Sequence, residues 1–187
     1  MHVIVKRLTD FSLVAKAARN TVSKPPIDRE FSEKFKLGMY LSEHSPIRNL
    51  LFEVTMKDIP YYSSVHFSRH KIGVEHYVTT QRTDRTGEDR DGKHQDALVT
   101  HMMVINAQAL INMSRKRLCR NADAVTREAM KEIVDAINNI EPLLAQCLVV
   151  DCVYRGSCFE IRTCEYNQTP HYAGKLKQYR NLLEVVR

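Results

Sequence analysis

The stretch that most restricts the fold is Ala97–Leu118, ALVTHMMVINAQALINMSRKRL, where apolar side chains recur with hardly a polar face until the basic end. Read as one long helix, Leu98, Met102, Ile105 and Ala109 form a stripe while Val99, Met103 and Leu110 lie off it. A helix that is apolar nearly all round is buried on most faces. In a chain of 187 residues this implies an oligomer whose helices pack across an interface. Asn106 and Arg117 are eleven residues apart, close to three turns, and so share one face of that helix; Gln108 and Asn112, four apart, share another. Buried polar side chains need partners. These four either bond neighbouring helices or line a pocket for a polar ligand.

Around this segment the periodicities alternate. MHVIVKR reads as a first strand, and DFSLVAKAARNTV as a helix behind Asp10 or Ser12 as N-cap. SKPPID is a loop, because two prolines cannot continue a helix. REFSEKFKLGMYLSEH places Phe31, Phe35, Leu37 and Leu41 at helical intervals to about Glu43, and NLLFEVTMKDI alternates as a strand. PYYSSVHFSRHKIG reads as a helix or strand ending near Gly73, with Pro60 suited to a helix start. RTDRTGEDRDGKHQD is a charged loop. DAVTREAMKEIVDAINNIEPLLAQCLVV is an amphipathic helix interrupted near Pro142. The tail from about residue 151 is irregular and rich in cysteine, and KLKQYRNLLEVV closes the chain as a short helix or strand. Length and the absence of an internal repeat fit a single domain over residues 1–187.

The formal charge of +6 favours acidic partners: nucleotides, nucleic acid or membrane phosphates. No stretch approaches the roughly 20 apolar residues of a membrane helix. The N-terminus is charged too soon for a signal peptide, and five cysteines without one suggest free thiols in a reducing, cytoplasmic compartment. Positive charge concentrates in VHFSRHKIGVEHYVTTQRTDR, Val65–Arg85. Arg69, His70 and Lys71 are adjacent there, with Arg82 and Arg85 beyond. Arginine matches phosphate oxygens with a planar fork and lysine with a point charge. This is either a solvated basic strand and loop or a phosphate site. No glycine-rich phosphate cradle or dinucleotide fingerprint is present, so side chains would have to do the binding. A basic nucleic-acid-binding protein is the alternative from another class, but no base-reading motif accompanies the charge. Cys152, Cys158 and Cys164 recur every six residues, and His171 could complete a metal site. That spacing is wider than the usual zinc pairs, so free buried thiols and no metal are the expectation.

The order of these segments resembles the flavin-dependent thymidylate synthases. RHKIGVEHYVTTQR is similar to that family's signature RHRxxSxNExSxRY, and LSEHSPIRNLLFEV to its HxSPxEHxxFxF segment. LVAKAARNTVS resembles its first helix, INAQALINMSRKRLCRNADAVTREAMKEI its NARSLxxFLxLRxxxxAQWEIR helix pair, and CVYRGSCFEIRTC the ending of some members. The resemblance runs from about Asp10 to Cys164. It implies an α+β fold, a small antiparallel sheet packed with long helices, assembled as a homotetramer with FAD and dUMP between subunits. It also implies transfer of a methylene from methylenetetrahydrofolate to C5 of dUMP, or of another pyrimidine nucleotide, with FAD recharged by NADPH. A catalytically inactive relative that binds FAD or a nucleotide is the other reading the resemblance allows.

Carried over position by position, Arg69, His70 and Lys71 match the flavin-contacting triplet, with lysine in place of its last arginine. Asn106 and Asn112 match the asparagines that meet the flavin, and Ser45 falls in the flavin-side turn. Arg117 matches the catalytic arginine that addresses the pyrimidine base. Arg82 matches the nucleotide-phosphate arginine when one residue is inserted after His70. Where the signature has Ser, Asn and Glu, this chain has Val74, His76 and Tyr77. Gln108 replaces a flavin-contacting arginine, and Arg48 the Glu of SPxEH.

Overall fold

The computed structural model describes residues 1–26 and 30–187. The end of the SKPPID loop, with Ile27 and Asp28, and the Arg29 that follows lie outside the described residues. The chain starts with β1 (His2–Arg7), followed by α1 (Phe11–Asn20) and α2 (Glu33–Leu41). Asp10 stands at the N-cap position of α1, and the Ser32 hydroxyl caps α2 by accepting from the Phe35 amide. A 3-10 turn over Ser45–Asn49 then leads into β2 (Leu51–Pro60). Pro60 leaves β2 directly into α3 (Tyr61–Ser68), and a turn through Gly73 starts β3 (Val74–Val78). The stretch left open as helix or strand is therefore a helix up to Ser68, then a turn. The charged loop holds one helical turn, α4 (Thr83–Thr86), before β4 (Leu98–Asn106).

β4 corrects the long helix expected over Ala97–Leu118. The chain is a strand to Asn106 and becomes α5 (Ala107–Arg117) only afterwards. Asn106 has extended backbone angles, and its side-chain Oδ1 accepts from the Ala109 amide at 2.8 Å, which starts the helix there. The apolar character on both sides belongs to a central strand flanked by two others, not to a helix between subunits. The inference of an oligomer from that helix loses its basis. Asn106 caps α5 and Arg117 ends it, so the two mark its ends instead of sharing a face.

The remaining helices are α6 (Ala124–Ile140), α7 (Pro142–Ala145), α8 (Asp151–Arg155) and α9 (Pro170–Val186). Pro142 breaks α6 from α7, as expected. The tail is more ordered than its composition suggests. Thr169 accepts from the Tyr172 amide and Pro170 occupies the first turn, so a helix of 17 residues starts there. Tyr172 and Tyr179, seven apart, bury their rings beside Val153.

The four strands are antiparallel in the order β1-β2-β4-β3. Val5 lies opposite Val54, Val54 opposite Met103, and Met103 opposite His76. Alternation therefore puts these four on one face, with Phe52, Ile105 and Val74 beside them. That face meets α3, α5 and α6 and forms the main core with Leu50, Phe67, Leu110 and Ile133. The opposite face carries Ile4, Thr55, Met102 and Val104, all half-buried. A bulge at Asp58, whose φ is +57°, bends the end of β2 toward α3. No helix among the described residues is long and apolar enough to cross a membrane. The fold is α+β, with a small antiparallel sheet under helices, as the resemblance implied.

Phe52 is fully buried at the centre of this face. Phe52→Ala should destabilise the protein by about 3–5 kcal/mol, read as a drop in the urea midpoint at unchanged slope.

Candidate functional site

Helix α3 delivers the basic triplet, and its position is set by buried hydroxyls. Ser63 Oγ lies 2.8 Å from Thr126 Oγ1, and Asp123 caps α6 by accepting from the Thr126 amide at 2.9 Å. Ser64 Oγ lies 2.9 Å from His101 Nδ1 on β4. α3 is thus tied to both α6 and the sheet, and Arg69, the next residue after it, opens the turn that holds His70 and Lys71.

From Ser64 a chain of imidazoles runs to that turn. His101 Nε2 lies 2.9 Å from His76 Nδ1, and His76 Nε2 donates to the His70 carbonyl at 2.6 Å. A carbonyl oxygen only accepts, so His76 carries its proton on Nε2. With both rings neutral, His101 Nε2 donates to His76, and the Ser64 hydroxyl donates to His101 Nδ1. The His70 ring is held from the other side, where Arg117 donates through Nε to His70 Nε2 at 2.9 Å. Burial, then the Arg117 charge and His76, pull His70 down to about 4. Burial, then His76, pull His101 down to about 4. Both rings are therefore neutral near pH 7, and the bond accepted from Arg117 requires it of His70.

The structure brings together Arg69, His70, Asn106 and Arg117. Asn106 is tied to the turn by its amide, which donates to the Gly73 carbonyl at 3.0 Å. Gly73 has φ +75°, and a Cβ there would stand 2.4 Å from Asn106 Nδ2. Burial and the neighbouring Arg69 charge depress the Arg117 guanidinium below its ordinary value. Among the described residues no carboxylate pairs with Arg69, Lys71 or Arg117. Two guanidiniums repelling each other with no counter-charge form a place where an anion is stabilised.

Asn112 and Ser45 lie elsewhere. Asn112 projects from α5 into a network centred on Glu43, a non-glycine residue at φ +48°. Gln108 donates to Glu43 at 2.5 Å, Arg115 pairs with the same carboxylate, and Arg115 donates to Asn112 at 3.2 Å. Burial alone would raise Glu43, but hydrogen bonds from Arg115 and Gln108 outweigh it and hold the carboxyl below its usual range. The Arg115 guanidinium lies 3.5 Å from the centre of the Tyr154 ring. Ser45, exposed, follows Glu43 by two residues. Arg82 is not brought in: it donates to Asp84 of its own exposed loop at 2.9 and 2.7 Å. A cleft of about 1210 Å³ opens between α6 and α9 with Lys131, Tyr166 and Tyr179 on its walls. Arg127, Asp135, His171 and Lys175 also line it, but it includes no member of the histidine–arginine cluster.

Sequence reasoning missed the relay role of His101. Its signal was position: once β4 is read as a strand, His101 alternates with Met103 and Ile105 toward the core, diagonal to His76.

No family model and no curated protein match this chain. Solved structures do. Thymidylate synthase X from Helicobacter pylori, crystallised with FAD and dUMP, superposes with a TM-score of 0.61 at 17% identity, covering 79% of this chain and 99% of that one. The fold is ThyX-like. PolB from Streptomyces cacaoi, a UMP/dUMP methylase solved with 5-Br dUMP, gives a TM-score of 0.60 at 13% identity, over 78% of this chain and 94% of that one. Within this ThyX-like fold the turn after α3 meets both ends of α5, Asn106 through Gly73 and Arg117 through His70.

Two outcomes test the geometry. The unfolded chain protonates its histidines near 6.5, whereas the folded one holds His70 and His101 neutral down to about 4. The unfolded state then binds more protons between those values, so stability is full above the upper value and is lost as pH falls through the window. Denaturant midpoints from pH 7 to 4.5 should show this slope, and His101→Asn, which cannot charge, should flatten it. Gly73→Ala should lower the melting temperature and shift the Asn106 side-chain amide resonances, because the methyl group has no room.

Proposed function

We propose that this protein is a flavin-dependent methylase of a pyrimidine nucleotide, using FAD and acting on dUMP or a close relative of it. The observation that carries the reading is the un-neutralised pair Arg69 and Arg117 beside His70, on the turn that also carries Lys71 and is tied through Gly73 to Asn106. The donor set fits FAD: two guanidiniums, an ammonium and an amide suit a pyrophosphate and the polar edge of a flavin ring. In this reading Arg69, His70, Lys71 and Asn106 hold the flavin, and Ser45 and Asn112 reach it from the Glu43 side. Flavin supplies the reducing electrons, with NADPH to recharge it and methylenetetrahydrofolate to bring the carbon.

Arg117 orients the pyrimidine. Its Nε–H is committed to His70, which fixes the guanidinium plane and leaves the terminal N–H groups for the base. His70 can accept that bond only while neutral, and its burial keeps it so. Arg82 would have to leave Asp84 to meet the nucleotide phosphate, an exchange that costs little because an exposed pair is worth about 0–1 kcal/mol. That pairing also favours a second reading, a relative that binds flavin or nucleotide without turnover. The fold's solved neighbours, with FAD, dUMP or 5-Br dUMP bound, support a pyrimidine nucleotide as partner. The working unit in this reading is a cytoplasmic homotetramer of single-domain chains, with the half-buried sheet face available for contact between subunits.

Flavin absorbance with and without added FAD, followed by calorimetric titration with dUMP and UMP, tests this. Arg69→Ala should weaken FAD binding about ten- to a hundredfold, the loss of a charge-assisted bond worth about 1.5–3 kcal/mol. Arg117→Ala should keep FAD and lose both nucleotide heat and methylated product. Flavin and nucleotide binding without product supports the non-catalytic reading; a protein that binds neither overturns both.

A further inference from the structure

Four of the five cysteines, Cys119, Cys152, Cys158 and Cys164, border one small void; the fifth, Cys147, is buried in the main core. They come from separate parts of the chain. Cys119 lies two residues beyond α5, Cys152 is in α8, and Cys158 and Cys164 sit in the irregular stretch between α8 and the 3-10 turn at Tyr166–Gln168. All four thiols border that single void, so they form one group instead of two separate pairs. His171, the fourth group suggested by sequence, is exposed and packs its ring against Tyr166, 5.9 Å between centres.

The irregular stretch has little else to hold it. Phe159 and Ile161 point outward, 61% and 105% exposed, while Cys158, Glu160 and Cys164 turn inward. Its ties to the body include Asn121 Nδ2 donating to the Arg162 carbonyl at 2.7 Å, Lys116 meeting Glu160 at 3.0 Å, and the Arg155 guanidinium 3.8 Å from the centre of the Phe159 ring. A segment that leaves Ile161 in water and Phe159 largely exposed while its thiols turn inward lacks a core of its own. Small segments of this kind are stapled by metal or by disulfides.

We propose that Cys119, Cys152, Cys158 and Cys164 form a tetrathiolate site for one zinc ion. Four sulfurs from three places around one void suit a tetrahedral ion with ligands about 2.3 Å away. Among the described residues no three histidine, cysteine or acidic side chains already stand in coordinating positions. The ion therefore draws the thiols inward, as sites that form on binding do. Each thiol gives its proton to solvent, four Zn–S bonds form and no electron moves. The four thiolates and Zn²⁺ carry a net charge of −2. Arg120 and Lys116 offset it: Arg120 lines the void, and Lys116 also meets Asp151 at 3.8 Å. Asp151 and Glu160, both at the rim, stay with Lys116 and leave the sulfurs to the metal.

The test is metal analysis of the full-length protein, expressed with zinc and purified under reducing conditions, then dialysed. One zinc per chain is expected, with intense thiolate-to-cobalt and tetrahedral absorption after exchange for Co²⁺. Cys158→Ser and Cys164→Ser should each lower the zinc content well below one, while Cys147→Ala should retain it. Hydrogen exchange guards against loss by unfolding. Chelation should expose residues 156–165 while β2 and β4 stay protected. Absence of zinc in the folded protein, iron with inorganic sulfide in its place, or two disulfides by intact mass would each overturn the proposal.

Discussion

The hydrogen bond from His76 Nε2 to the His70 carbonyl settles the direction of every proton along the buried line from Ser64. An imidazole that must donate at one end must accept at the other when neutral, so His101 is fixed in turn. Burial keeps His101 neutral, and with neutral rings the line runs in one direction only. The turn that carries Arg69, His70 and Lys71 is consequently attached to the sheet by a chain of low-entropy rings and not by flexible side chains. Arg117 then has a rigid acceptor to lean on.

α5 divides the polar chemistry between two territories. At its ends, Asn106 and Arg117 face the turn after α3, where positive charge has no balancing acid among the described residues. Along its flank, Gln108, Asn112 and Arg115 converge on Glu43, where the charges are paired. The first territory can receive an anion at little cost. The second would have to give up internal bonds, and this makes Asn112 a different kind of candidate from Asn106.

Most strands and helices were legible because local periodicity and packing agree in them. β2 alternates cleanly, α6 presents one apolar stripe, and Pro142 interrupts where a proline must. Ala97–Leu118 misled because a central strand followed at once by a packed helix gives an unbroken apolar run, and periodicity alone does not divide it. The dividing residue was Asn106, a favoured N-cap type preceded by the β-branched Val104 and Ile105. In the candidate site, adjacency in sequence marked the triplet, and the resemblance picked out Asn106 and Arg117. His101 and the convergence on Glu43 depend on strand register and on a left-handed backbone at Glu43, which the sequence does not display. The void shared by four cysteines was half visible as a six-residue rhythm, and only the chain's return past α5 adds Cys119.

The two rims of the sheet limit how copies of this molecule can join. β3 offers only five residues before the chain enters a charged, exposed loop, and β1 carries His2, Lys6 and Arg7 along the opposite rim. Short or cationic rims discourage another strand from adding on. Lateral growth into a continuous ribbon is therefore disfavoured at both rims.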